Sequence, residues 1–468
     1  MASRSGKVFV GSPVTRDGPL GTVASPLSLY TCVGWGVGTL AVAALFNAVN
    51  VLLLRYLVDF VGIGATVAGS LIGLSKLYDA LIDPLIGSLS DRARFRAGRR
   101  RPFILAGGVL LAVAALLLFN VPHGFHGNGA IGYVVFALLI YATAYATFSV
   151  PYMAMPAEMT PDYHERSRLI SFRVYATAIA SLLAVFIGPV LMARAGGGQA
   201  GHTALSILLA AIALLASLFC FRATRFAPFH DAGHPTRLGF FRKLALIGSN
   251  KPFLLLLAIK LCQLMALAVT QASMPFLFKR VLGLNDVMLG LYFLVFYSAM
   301  IVSQPAWLRA GRRFGKRTLF IWVTLIYALM YISWYFVQPG EPLAILFFRA
   351  LLLGGTGGGV LLLGQSLLPD TMEWDFRLTG LRREGILAGL YTVIEKLAYA
   401  LGAAVTGIVL GKSGYIQAMG AKPVMQPPSA IAAIYFLASF APLVLLLVSC
   451  LLLRFYSLSE AKLAGRND

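Results

Sequence analysis

Long apolar runs broken by short polar stretches set the pattern of this chain. Reading the runs and their breaks predicts twelve spans, near 28–56, 65–90, 102–121, 130–156, 169–193, 202–221, 252–278, 288–308, 317–338, 342–368, 384–411 and 429–453. Stretches such as Phe103–Phe119, Ala204–Phe219 and Ala430–Leu453 approach or exceed the roughly 20 residues that cross a bilayer core about 30 Å thick. Lipid offers no water to an unpaired backbone group, so spans of this kind must close their hydrogen bonds internally, as helices. The pattern predicts an all-α membrane protein.

Composition agrees. Of 468 residues, 59% are hydrophobic and only 12% charged, against about 25% charged in soluble domains. The net charge of +21 would suit nucleic acid in a soluble protein. In a membrane protein it reflects Lys and Arg gathered in cytoplasmic loops, and no nucleic acid partner is expected. Placing the N-terminus inside puts 28 of the 39 Lys and Arg in cytoplasmic segments and six in external ones, with five inside spans. An odd span count would have scrambled that bias. Cys32, Cys220, Cys262 and Cys450 fall in apolar runs and read as small buried hydrophobes. The polar stretch from Met1 to about Pro26 has no apolar core of its own and is expected to be no cleavable signal peptide.

The organisation follows. Residues 1–27 read as a cytoplasmic tail, 28–221 as a six-helix bundle, 222–251 as a cytoplasmic linker holding His230 and His234, 252–454 as a second six-helix bundle, and 455–468 as a cytoplasmic tail. The halves echo each other: a Gly-bearing basic loop follows the second span (Asp91 to Pro102) and the eighth (Leu308 to Arg317). Duplicated six-helix halves are a transporter pattern that places the solute between the bundles, near mid-membrane. The lipid bilayer is the one macroscopic partner expected, and the chain is read as a monomer.

Ionisable groups within a span are costly and normally face a cavity, so each is a candidate. Lys76, Asp79 and Asp83 in span two recur at spacings that stack them on one helical face. Two carboxylates a turn apart can converge on one small cation, or share a proton because both resist ionising together. Lys76 offsets part of their charge, and Pro84 frees a carbonyl nearby; a structural Lys–Asp tether is the competing reading. Arg173 in span five either neutralises those acids or snorkels to the interface. Glu395 and Lys396 in span eleven point about 100° apart, and Lys396 can cross to Asp79 and Asp83 or hold substrate. Lys260 and Gln263 in span seven are further candidates. Tyr141, Thr143, Tyr145, Thr147, Ser149 and Tyr152 in span four offer hydroxyls and rings that suit a sugar. Gly354 to Gly359 lacks the Lys and strand context of a phosphate loop and is expected to allow close helix contact.

These residues lead to a known group. Tyr78-Asp-Ala-Leu-Ile-Asp-Pro-Leu-Ile-Gly-Ser-Leu-Ser-Asp-Arg-Ala-Arg-Phe-Arg-Ala-Gly-Arg-Arg-Arg-Pro-Phe-Ile-Leu105 resembles the signature of the glycoside–pentoside–hexuronide:cation symporters, the melibiose-carrier branch of the major facilitator superfamily. Val150-Pro-Tyr, Glu165 to Arg173, Pro369-Asp-Thr-Met-Glu-Trp-Asp, Arg382-Arg-Glu-Gly and Glu395-Lys396 continue the match through both halves. The resemblance implies the facilitator fold and cation-coupled uptake by alternating access. It makes Asp79 and Asp83 the cation site, for Na⁺ or H⁺, and carries functional roles to Arg173 and Lys396. The departures are as informative. The first helix, from Gly34, has no acid, Ser149 stands at the acidic position before the Pro of span four, and Met153 replaces a Trp. Galactoside specificity is therefore not carried over.

The function expected is secondary active symport of a sugar, glycoside or hexuronide, with no enzyme chemistry and no cofactor beyond the coupling ion, in the bacterial inner membrane. A proton-coupled exporter of a lipid or other amphiphile is the rival within transport, and a non-transporting membrane sensor the rival outside it. The basic loops are expected to form a cytoplasmic gate from Asp91, Arg92, Arg99, Arg312, Arg313, Asp370 and Asp375, with Glu373 beside them.

Overall fold

The computed structural model describes residues 27–93, 95, 98–122, 124–160, 163–227, 248, 250–379, 384–417, 424–456 and 458. The tails and linker, with His230, His234 and Arg382-Arg383, lie largely outside the described residues. All twelve spans are helices: α1 Leu29–Leu53, α2 Ala65–Arg92, α3 Arg101–Leu118, α4 Asn128–Pro156, α5 Arg168–Arg194, α6 Gly198–Thr224, α7 Lys251–Val281, α8 Asp286–Phe314, α9 Lys316–Phe336, α10 Leu343–Thr379, α11 Ile386–Lys412 and α12 Pro428–Arg454. No strand occurs among the described residues.

Two helices outrun the apolar windows that predict them. α8 carries on through Arg309, Arg312 and Arg313, and α10 runs past Pro369 through Asp370, Glu373 and Asp375. Hydropathy ends where the bilayer ends, but a helix continues wherever its backbone bonds close, in water as in lipid. Part of each basic or acidic loop is therefore a helical extension.

α1–α6 pack as one bundle and α7–α12 as the other. They meet along three seams, α2 with α11, α5 with α8, and α1 with α7. Small residues make the first two seams possible. A Cβ on Gly407 would stand 2.4 Å from the Ala65 carbonyl oxygen, and one on Gly69 would stand 2.6 Å from that of Ala403. In the second, a Cβ on Gly290 would lie 3.2 Å from the Phe186 carbonyl oxygen. Backbones approach this closely only where side chains are minimal, the usual device for packing helices in lipid. Gly69 and Gly290 hold the same position in α2 and α8, four residues after the first, which is the duplication expressed as geometry.

α1 and α7 share a second feature. Both widen into π-helical turns towards the end away from the basic loops: Val49–Leu53 and Tyr56–Phe60 on the first, Leu277–Val281 on the second. Both chains then turn on a glycine with positive φ, Gly62 at 79° and Gly283 at 67°, a conformation other residues reach only with strain. Such π turns cluster at functional sites.

Candidate functional site

At mid-span, α2 presents Lys76, Asp79 and Asp83 to the seam with α11, as their spacing predicts. Lys396 crosses that seam. Its Nζ lies 2.9 Å from Asp79 Oδ2 and donates to Asp83 Oδ2 as well. One ammonium thus sits between two carboxylates, while Oδ1 of each acid is buried without a hydrogen-bond partner. A carboxylate oxygen kept from water and left bare is costly; here two of them flank a single positive charge.

Lys76 is held differently. It is buried, donates to the Tyr141 hydroxyl at 3.3 Å, and lies over the rings of Phe46 (4.4 Å), Tyr141 (5.1 Å) and Tyr145 (5.9 Å). An ammonium ringed by aromatic faces is stabilised by their quadrupoles without being neutralised. Tyr145 also lies 5.7 Å from Lys396, and Tyr399 of α11 meets Phe46 edge-on at 5.0 Å. Adjacent residues on α11 diverge as expected. Glu395 turns to Lys260 of α7, 3.0 Å away, and its side chain is 42% exposed where Lys260's is 8%. Arg173 is half-buried and pairs with no acid among the described residues. It lies within electrostatic reach of Tyr145, at the border of the same region. Among the described residues, four bases, Lys76, Arg173, Lys260 and Lys396, and three acids, Asp79, Asp83 and Glu395, lie around the seam.

Two expectations are corrected. Tyr152 is buried, stacked on Trp35 with ring centroids 4.8 Å apart, and bonded through its hydroxyl to the Trp35 carbonyl and Thr39. It ties α4 to α1 inside one bundle and does not face the seam. Gln263 donates to Ser449 of α12 at 3.0 Å, a packing bond inside the second bundle. The reason is common to both: a polar side chain in lipid takes whichever partner its helix face meets, and span position alone does not say which face that is. Ser149 is half-buried and forms no hydrogen bond among the described residues.

Of the gate candidates, Asp91, Arg99, Asp370 and Asp375 find partners within their own bundles, while Arg92, Arg312 and Arg313 are exposed. Arg100 bonds Asp91 at 2.7 Å and Glu158 at 2.5 Å, and Arg99 also reaches Glu158. Lys316 holds Asp370 at 3.1 Å, Asn250 donates to Asp375 at 3.2 Å, and Glu373 accepts from Arg377. The bundles are joined by charge at the other end. Asp59 at the end of α1 binds Arg280 of α7 at 3.1 Å and accepts from the Tyr415 hydroxyl at 3.0 Å. Arg280 donates to that same hydroxyl at 2.9 Å, and Arg55 pairs with Asp286 of α8. Asp59 and Arg55 are almost fully buried, and burial raises the Tyr415 hydroxyl above the usual phenol range, keeping it a donor. That end is sealed. Asp83 and Glu395 keep part of their side chains exposed.

Sequence reading missed this seal, having counted Arg55 and Arg280 among external loops and helix ends. A signal was present: Asp59 and Arg280 each stand three residues before the turn glycine of their half. Among the described residues no group of three or more His, Cys, Asp or Glu side chains converges, so the acid pair offers a cation two carboxylates.

The family described as MFS/sugar transport protein matches residues 34–460. The chain is 27% identical to the putative glycoside/cation symporter YagG of Escherichia coli (strain K12), over 93% of each protein. It is 28% identical to the glucuronide carrier protein homolog of the same organism, over 93% of this chain and 94% of that one. Among solved structures, a bacterial homolog of the human lysosomal transporter Spinster, in an inward-facing and unoccupied conformation, aligns with a TM-score of 0.69 at 16% identity, over 94% of this chain and 98% of its own. That last likeness is one of fold.

Proposed function

This chain belongs to the MFS/sugar transport protein family, and on that premise we propose that it is a cation-coupled symporter of a sugar or sugar derivative. It works by alternating access in the bacterial inner membrane, with the basic end and both termini in the cytoplasm. The conformation described above is then the inward-facing one.

One observation carries the reading: Lys396 lies between Asp79 and Asp83 and leaves an oxygen of each acid bare. The bare oxygen of each carboxylate is left unsatisfied in a region of low dielectric, where such an atom is costly. A small cation relieves it. Na⁺ would use the bare carboxylate oxygens as hard ligands, and a proton would be shared between the two acids. Either ion competes with the Lys396 ammonium for the same two carboxylates, so loading the ion frees Lys396 to face the solute. Lys396 is in this sense the resting occupant of the ion site.

The solute lies between the bundles beside Tyr145 and Tyr399, whose rings suit the apolar face of a sugar. Bases exceed acids by one around the seam, and an added cation widens the excess. An acidic sugar would offset it, so a uronide fits the site better than a neutral glycoside. Arg173, unpaired at the border, is the base available to the acid group.

The test is uptake into proteoliposomes. Methyl β-D-glucuronide and methyl β-D-glucoside are offered with an inward Na⁺ or H⁺ gradient. Wild type is expected to accumulate the glucuronide in preference, and Asp83→Asn to lose gradient-driven accumulation while inserting normally. Accumulation by Asp83→Asn at the wild-type level contradicts the ion assignment. Wild-type extrusion of solute against the same gradient would instead make the protein an exporter.

A further inference from the structure

Two buried amides stand at matching places in the two halves. Asn50, nine-tenths buried, lies on the π-helical stretch of α1, and Gln271, 3% exposed, lies on α7. Each precedes the turn glycine of its half, Gly62 or Gly283, by the same number of residues. The Val49–Leu53 stretch that holds Asn50 packs against α7 across the bundle seam. Both amides are incompletely bonded. Asn50 Nδ2 has no hydrogen-bond partner. Gln271 donates from Nε2 to the Tyr297 hydroxyl at 2.9 Å, and its Oε1 has none. Turning the Gln271 amide over would bond the oxygen to Tyr297 and strand the nitrogen, so one atom stays bare either way.

Neighbouring contacts fix the level. Asn50 is one turn beyond Phe46, whose ring touches both Lys76 and Tyr399. Tyr399 is one turn beyond Lys396 and within electrostatic reach of Tyr297, the partner of Gln271. Both amides therefore border the layer just outward of the charged cluster, one on each bundle.

A buried polar atom without a partner lowers stability, and native proteins keep few of them. The chemistry of the pair narrows what the missing partner is. One wall offers a bare N–H and the other a bare amide atom. A carboxylate serves both walls only if the Gln271 nitrogen is the bare atom, and an ammonium gives nothing to the Asn50 N–H in either case. A hydroxyl serves both, because it donates once and accepts twice. Resting on the reading that the cargo is a sugar, we propose that Asn50 and Gln271 are a hydroxyl-recognising pair that grips adjacent hydroxyls of one ring, one amide from each half. A solute held this way bridges the bundles, so its binding favours the state in which α1 and α7 lie together.

The test replaces each amide by an apolar group of similar size, Asn50→Leu and Gln271→Met. Two readouts are taken on the purified full-length protein: melting temperature without solute, and the affinity of methyl β-D-glucuronide and methyl β-D-glucoside from ligand-induced stabilisation in saturating Na⁺ at fixed pH. The pair predicts that Asn50→Leu does not melt below wild type, since it loses a bare polar atom, whereas Gln271→Met also strips the buried Tyr297 hydroxyl of its donor and is read by affinity alone. It also predicts that the glycoside which stabilises wild type binds each variant about tenfold more weakly or worse, with the cation dependence of binding retained. A fall in the melting temperature of Asn50→Leu would make that amide a packing group and overturn the proposal. Unchanged glycoside affinity with intact cation dependence would overturn the pair and leave symport standing. Wild type bound by neither glycoside would remove the sugar reading and this pair with it.

Discussion

Lys396 concentrates the chemistry of the site in one side chain. It stands between Asp79 and Asp83, and an ammonium beside a carboxylate opposes the binding of a second cation there. Lys396→Met removes that competitor. Equilibrium ion binding by the solute-free protein, read with ²²Na⁺ or with an indicator dye for protons, is therefore expected to tighten roughly ten- to a thousandfold. Unchanged or weaker ion binding would mean that the ammonium does not occupy the ion's place. The acids and this lysine were legible in the sequence, because ionisable residues in apolar spans are rare and their spacing on α2 fixes a common face. Tyr152 and Gln263 were not. Whether a tyrosine or glutamine faces the seam or a neighbouring helix depends on the rotation of that helix, and α4 and α7 are apolar nearly all round. Asn50 and Gln271 escaped for the related reason that a neutral amide in an apolar run gives no charge signal.

Among the elements, α2 and α11 form a close-packed seam between the bundles. Gly69, Gly73, Gly407 and Gly411 bring the helices close, and a side chain there collides with backbone. Gly407→Leu should leave both bundles intact while opposing their approach, at a cost of about 1–3 kcal/mol for overpacking. With native cysteines replaced and a reporter cysteine at Ala404, which borders Gly73 in this seam, labelling by an impermeant maleimide from outside should rise between roughly fivefold and a hundredfold. Labelling at the wild-type rate would show that the contact is incidental to closure. The twelve helices themselves were readable from hydropathy to within a few residues at most ends. The extensions of α8 and α10 were not, since their last turns lie in water, where apolar windows carry no information. The glycines could be counted in the sequence, but which helix each one meets is set by how the bundles dock.

At the scale of the whole molecule, a buried charge cluster joins the two bundles at one end. Asp59, Arg280, Tyr415, Arg55 and Asp286 close that end, and Asp59 and Arg280 come from equivalent points of the two halves. Removing one member of a buried pair costs about 3–5 kcal/mol, because its partner is left uncompensated. Arg280→Ala and Asp59→Ala should each shift the protein toward the form open at that end, seen as faster outside labelling of the Ala404 reporter. The double variant should be no more open than the worse single one, because the two residues act through one contact. Additive effects would show that they act apart. The division into halves and the basic loops were visible in the sequence, whereas this cluster depends on chain segments more than 200 residues apart meeting in space. If Asp79 and Asp83 jointly hold the coupling ion, equilibrium ion binding distinguishes purified wild type from Asp79→Asn/Asp83→Asn. Binding of one Na⁺ or one proton per wild-type chain at the solute-linked site, absent from the double variant, is the result expected. Binding by the double variant with wild-type affinity and stoichiometry would contradict it.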